Sequence, residues 1–385
     1  MDYAAQLDRI IDEVIAPNAA AIDGEARFPR EAVDALAAAG VLALTVPATY
    51  GGAGLGLREA ADVVGRISTA CGSTAMVVCM HYAGTAALVA TDREDALREI
   101  AEGRHLTTLA FSETGSRSHF WAPLSTATGI GDEVLLAASK SWVTSGLEAT
   151  SYVWSSTPLA GDGPMTLWYV RRGAEGLTSP GGFDGLGLRG NGSVPLRADD
   201  VRVAVADMLG ADGAGLDIAL AAVLPVFLVL NASASLGLAR AVTTATAQHL
   251  TTTSLGHLGQ SLAQQLPART RLARMQIESD RTQGLIDGAL TAVEEGRPEA
   301  QLLVLETKAA ADETAAFVAD TAMAACGGAA FRKELAVERR FRDSRAARVM
   351  APTTDALLDF IGRAMTGQPL LDAPTGPAAA TRGAA

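Results

Sequence analysis

The sequence predicts an α+β protein in which a β domain is inserted between two helical portions. Three observations carry this. Apolar residues recur at helical spacing through roughly the first hundred residues, short strand-like runs bounded by glycine-rich turns fill residues 105–210, and two helical patterns far too long for strands, 269–294 and 299–325, follow. With 49% hydrophobic and 19% charged residues in a chain of 385, there is enough apolar surface for a large core divided among two or three packed units.

The elements follow in order. Leu7, Ile10, Ile11, Val14 and Ile15 mark one face of a first helix, and Phe28-Pro29-Arg30-Glu31 opens a second that runs through Val33 and Leu36 to a stop at Gly40. A glycine-rich loop over 47–56 separates it from helical patterns at 57–69 and 73–89. Strands are expected at 106–111, 134–138, 152–156 and 166–170, after which the chain is helical from Leu216 to about Gly367. The domain boundaries expected from these changes are 1–104, 105–212 and 213–371, and 372–385, rich in Ala, Pro, Gly and Thr, is expected to be a disordered tail.

Composition narrows the function. A formal net charge of −12 would repel a phosphate backbone over most of the surface, so no nucleic-acid partner is expected, although a local basic pocket for a CoA or flavin phosphate is compatible with it. Cys71, Cys79 and Cys326 lack metal-ligand or CxxC spacing and are expected to be small buried hydrophobes in a reducing compartment, with no metal site. Asp2, Asp8 and Arg9 precede any apolar run, which is not the order of a signal peptide, so a cytoplasmic location is expected. Residues 218–239 carry no charge, but Pro225, Asn231, Ser233 and Ser235 are expected to interrupt them and the strongly apolar run 219–230 is short. A buried bundle helix is therefore expected there, and no membrane span. Neither GxGxxG nor GxxxxGK[ST] occurs before a helix, so dinucleotide-binding and P-loop chemistry have no motif.

Several segments, in this order, resemble the acyl-CoA dehydrogenase superfamily. They are Phe28-Pro29 with 38–44 and Tyr50-Gly51-Gly52; Phe111-Ser112-Glu113-Thr114-Gly115; Lys140-Ser141-Trp142-Val143-Thr144; Gly187-Leu188-Arg189-Gly190; Gly259-Gln260-Ser261; and Cys326-Gly327-Gly328 with Arg342-Asp343 and Met350 to Thr354. The resemblance spans residues 5–370. It implies an N-terminal helical domain, a middle β domain and a C-terminal four-helix bundle, with FAD at a subunit interface and an assembly that is a homotetramer or a heteromer with a homologue. It also implies oxidation of the Cα–Cβ bond of an acyl-CoA or acyl-carrier-protein thioester and an electron-transfer partner. By motif position Trp142 would cover the flavin ring and Ser112 and Thr144 would meet its polar edge. Gly327 and Gly328 would let backbone approach the cofactor, and Thr353 would lie on the adenosine side.

The chain departs from that pattern where the chemistry is done. The two positions at which the family keeps its glutamate base correspond to Ala351 and about Phe227, neither of which accepts a proton. A family arginine for the neighbouring flavin has no counterpart in 251–255, and Ala324 replaces a glutamine. Glu113, His119 and Asp355 are the candidate replacement bases, with His81 a second candidate near the acyl pocket. For each histidine a purely structural role is the alternative. The basic cluster Arg339, Arg340, Arg342 and Arg345 reads either as a phosphate site or as a salt-bridge network. Two rival functions use the same fold: a flavin-dependent monooxygenase, which needs no such base, and a catalytically silent subunit.

Overall fold

Long alanine- and leucine-rich runs build the helices at both ends of the chain, and β-branched and aromatic runs build the strands between them. A computed structural model describes residues 3–117 and 119–371, so the tail expected at 372–385 lies outside the described residues. The N-terminal portion comprises α1 (3–25, with a π turn at Ile11–Ile15), α2 (Arg30–Ala38), α3 (Leu57–Ala70), α4 (Gly72–Ala90) and α5 (Glu94–Ala101). α4 is buried on nearly every side, which explains why its sequence is apolar all round rather than amphipathic. α5 was not anticipated; Glu94 and Asp95 in its first turn complement the helix dipole.

The middle portion is two four-stranded sheets. One has the order β1 (Thr107–Ala110), β4 (Ser151–Ser156), β5 (Thr166–Arg171), β8 (Met208–Leu209), and the other β2 (Thr126–Ile130), β3 (Glu133–Val143), β7 (Val194–Ala204), β6 (Leu177–Thr178). The first sheet is buried on both faces. Tyr152, Trp154, Trp168 and Val170 point toward the second sheet, while Val153, Leu167 and Tyr169 join the helical core. That sharing leaves β4 and all of β5 but Arg171 buried, so neither strand alternates apolar with exposed polar residues.

The C-terminal portion comprises α6 (215–252), a short hairpin of β9 (Ser254–Leu255) and β10 (Gln260–Ser261), α7 (Leu266–Glu294), α8 (Ala300–Cys326), α9 (Val337–Asp343), α10 (Ala346–Val349) and α11 (Thr354–Met365). α6 packs against α3, α7 and α8, and α8 carries α11. The expected interruption at Pro225 does not occur. The ring lies in the first turn of Leu224–Thr252, directly after a π turn at Ala219–Val223 whose wider winding accommodates it, and Ser233 returns its hydroxyl to the carbonyl of Val229 at 2.9 Å. Among the described residues three helices, Gly72–Ala90, the uninterrupted Gly215–Thr252 and the helical run 300–331, are long and apolar enough to cross a membrane by length and composition; 78%, 61% and 44% of their apolar windows are buried inside the protein. The three cysteines are free and buried.

The crossing of α3 and α6 is unusually close. A Cβ on Gly237 would lie 2.3 Å from the carbonyl oxygen of Gly65, and Ser68 donates to the carbonyl of Ala234 at 2.6 Å. Residues 186–191, on the β-domain connection between β6 and β7, join all three portions. The Leu188 N–H donates to Asp343 at 2.6 Å, the Gly190 N–H to Ser73 at 3.1 Å, and Arg189 to the Asp23 carbonyl at 3.0 Å.

Candidate active site

Where the three portions meet there is a cavity of about 80 Å³. The β domain supplies one wall. β3 carries a bulge between Lys140 and Val143, at which Trp142 adopts φ 55°; the irregularity turns its side chain out of the strand alternation and onto the cavity rim. The residue is 57% exposed, and one face of its indole stacks on Phe183 with centroids 3.8 Å apart and planes 16° from parallel. Ser112 and Ser141 stand beside it, joined by a Ser141 N–H to Ser112 carbonyl bond of 2.9 Å. The opposite wall is the π turn at the start of α6, through Ala219 and Val223, followed by Leu224 and Phe227. π turns widen a helix locally and recur at functional sites. Met80 of α4, Leu109, Phe111 and Phe120 close the sides, and Ala351 and Pro352 complete the lining.

Ala351 and Phe227, far apart in sequence, therefore face one cavity, and among the described residues the only polar side chains lining it apart from the Trp142 indole N–H are the two serines. An exposed indole, hydroxyls at one edge and an apolar surround fit a flat heteroaromatic ring with a polar rim. Among the described residues that line it there is no carboxylate, imidazole or amine.

The other candidates are placed as follows. Glu113 lies outside the cavity lining. Its carboxylate is buried and bonded to Lys140 Nζ at 2.6 Å, to the Ser125 hydroxyl and to the backbone N–H groups of Leu124 and Ser125. Burial alone would raise its pKa, but Lys140 and the other donors outweigh that and hold it below the usual carboxylate range, while burial pulls Lys140 down to about 8. The pair closes the base of the 113–125 loop. His119, on that loop, is exposed, sits 2.9 Å from the Ser116 carbonyl and packs edge-on to Trp121; it is its neighbour Phe120 that reaches the cavity. Asp355 is exposed in the first turn of α11, outside the lining, and Thr353 caps that helix by accepting from Ala356 N–H at 3.3 Å. Thr144 is buried, its Oγ1 3.3 Å from Ser193 Oγ, also off the cavity.

Gly327 and Gly328 end α8 in an exposed position where an added Cβ would meet nothing in this chain, and Gly327 has φ 57° and ψ −138°, a conformation side chains disfavour. His81 is buried outside the lining: its Nε2 lies 3.0 Å from the Leu42 carbonyl, its Nδ1 accepts the Thr107 N–H at 3.2 Å, and burial lowers its pKa to about 4. Within the basic cluster, Arg342 pairs with Asp23 and Glu338, Arg345 pairs with Asp320, and Arg340 donates to the Thr69 carbonyl, so these side chains bind the chain to itself.

Sequence reasoning missed Lys308 and Asn231, both fully buried beneath the 350–352 segment. The available signal was Lys308 with Asp312 four residues on, set among Val304, Leu305, Ala311 and Ala315 on the face of α8 that meets the core.

Residues 2–101 match the family described as acyl-CoA dehydrogenase, N-terminal domain, and residues 213–366 match acyl-CoA dehydrogenase, C-terminal domain. Cyclohex-1-ene-1-carbonyl-CoA dehydrogenase of Syntrophus aciditrophicus is 29% identical over 93% of this chain and 86% of its own. The mitochondrial short-chain specific acyl-CoA dehydrogenase of Bos taurus is 28% identical over 88% and 83%. Butyryl-CoA dehydrogenase from Megasphaera elsdenii superposes with a TM-score of 0.88 at 21% identity, covering 95% of this chain and 97% of that one, a likeness of fold.

Proposed function

Because the chain belongs to the acyl-CoA dehydrogenase family, we propose that it is an FAD-dependent oxidoreductase that oxidises the Cα–Cβ bond of an acyl thioester in the cavity between Trp142 and Ala351. The observation that carries this is the convergence of Ser112, Trp142, Phe227 and Ala351 on one cavity. Trp142 and the two serines would hold the flavin, which when bound supplies the hydride acceptor. The apolar wall of Leu224, Phe227 and Met80 would hold the acyl chain and exclude water from it. An acyl-CoA thioester substrate, an electron-transfer partner, a homomeric or heteromeric assembly and cytoplasmic residence belong to the same proposal.

One observation favours a second reading. No described side chain lining the cavity is an ordinary proton acceptor, so α-proton abstraction would need a group from outside that lining, whereas a flavin-dependent monooxygenase would need none. Anaerobic mixing of the flavin-loaded protein with butyryl-CoA decides between them. Bleaching of the flavin supports dehydrogenation. No bleaching, with an oxygenated product formed only when reduced protein meets oxygen, supports the monooxygenase; failure to retain FAD at all supports the silent subunit. Ala351→Glu returns a carboxylate to the cavity wall, and if the thioester site is intact it should raise the bleaching rate by about tenfold or more.

A further inference from the structure

We infer that Lys308 is a positioning residue for this site: its buried ammonium clasps the segment that carries Ala351 and Pro352 and so sets where the cavity wall stands. Lys308 Nζ donates to the Ala347 carbonyl at 3.0 Å, to the Pro352 carbonyl at 3.2 Å and to Asp312 Oδ2 at 2.8 Å. These three bonds use all three ammonium protons. The segment has little regular structure of its own, since α10 ends at Val349 and α11 begins at Thr354. Two more buried hydrogen bonds flank the clasp, one reaching the stretch and one tying the start of α11 to Asp312. Asn231 of α6 donates to Met350 Sδ at 3.4 Å, and Thr354 donates to Asp312 Oδ2 at 3.2 Å.

Such a cluster is poorly explained by packing alone. Lys308 and Asp312 have fully buried side chains. Burying an ion pair sacrifices hydration that the pair only partly restores, and apolar replacements of similar volume are often as stable. The surrounding face of α8 is already apolar. What the pair supplies, and an apolar pair would not, is donors for two main-chain carbonyls on either side of residue 351. A rigid wall matters because displacements of about 1 Å at a reacting centre are enough to slow catalysis strongly.

The inference deepens the functional reading above, and its test separates the two. In the full chain, Lys308→Met alone leaves Asp312 unpaired, so the double variant Lys308→Met/Asp312→Leu is measured beside it to keep a folded comparison. In the double variant amide hydrogen exchange over 346–353 should rise about tenfold or more while α3 and α6 keep their protection. The perturbation of the bound-flavin spectrum by butyryl-CoA should need about tenfold more ligand. Asp312→Asn, which leaves both carbonyl bonds possible, should retain near-native exchange over the segment. Unchanged exchange in the folded double variant, or equal loosening by Asp312→Asn, would overturn the clasp. If the native protein shows no spectral response to butyryl-CoA while exchange still rises in the double variant, the thioester reading falls and the clasp stands.

Discussion

Asp343 and His81 are buried ionisable groups with opposite effects on acid stability. Burial raises the Asp343 carboxyl to about 6, against the bond it accepts from Leu188, so the folded chain holds this proton more tightly than the unfolded one. Its contribution is fully present below about pH 4 and is lost as pH rises through about 6. His81 is displaced the other way, to about 4 by burial, so the folded state disfavours its proton and stability is lost as pH falls from about 6.5 toward 4. Asp343→Asn, which can still accept the Leu188 N–H, should therefore steepen the fall in Tm between pH 6 and 4, and His81→Gln should flatten it. Parallel Tm profiles for both variants and the native chain would show that neither group titrates with folding. The residue scale is also where the sequence was hardest to read. Glu113 has the composition of a base and is instead consumed by Lys140, a partner 27 residues away that only strand pairing brings within reach. Lys308 has the composition of a surface residue and is buried.

Close approach, rather than side-chain bulk, sets the α3–α6 crossing. Gly237→Ala would place a methyl 2.3 Å from the Gly65 carbonyl oxygen and 2.8 Å from Ser68 Cβ, so the helices must part; a cost of about 1–3 kcal/mol is expected in chemical denaturation. Gly284→Ala on α7, where the new methyl meets nothing, should instead stabilise by up to about 1 kcal/mol. The same sign for both would refute the crossing argument. Element existence was legible because periodicity is a property of the local sequence: the helical patterns at 57–69, 269–294 and 299–325 end within a few residues of α3, α7 and α8. The continuity of α6 was not, because whether a proline breaks a helix depends on the turn before it. Its π winding leaves no obvious trace in composition. Likewise Ser112, Trp142, Gly327 and Gly328 were recognisable as a pattern, but which of them share a cavity depended on how the domains dock.

At the scale of the molecule, the cavity exists only because three portions are held together, and residues 186–191 do much of the holding. Arg342 reaches the Leu186 carbonyl at 3.1 Å and pairs with Asp23, Asp343 accepts from Leu188, and Ser73 accepts from Gly190, so one short segment ties the β domain to α1, α4 and α9. A Cβ on Gly187 would lie 2.4 Å from the Arg342 carbonyl oxygen and 2.7 Å from the Asp343 N, both main-chain atoms that cannot swing aside. Gly182 lies on the same connection but its nearest neighbour to a new Cβ is a Val194 methyl at 4.0 Å, so Gly182→Ala is the matched control. Gly187→Ala should cost about 1–3 kcal/mol by forcing the junction open. It should also expose 180–195 to limited proteolysis and weaken binding of the proposed flavin, because Trp142 and Ala351 sit on portions that the junction aligns. Helical content should barely change, since no helix is cut. A Gly187→Ala protein with the Tm, cleavage pattern and flavin retention of Gly182→Ala would show that the docking of the β domain does not depend on this segment.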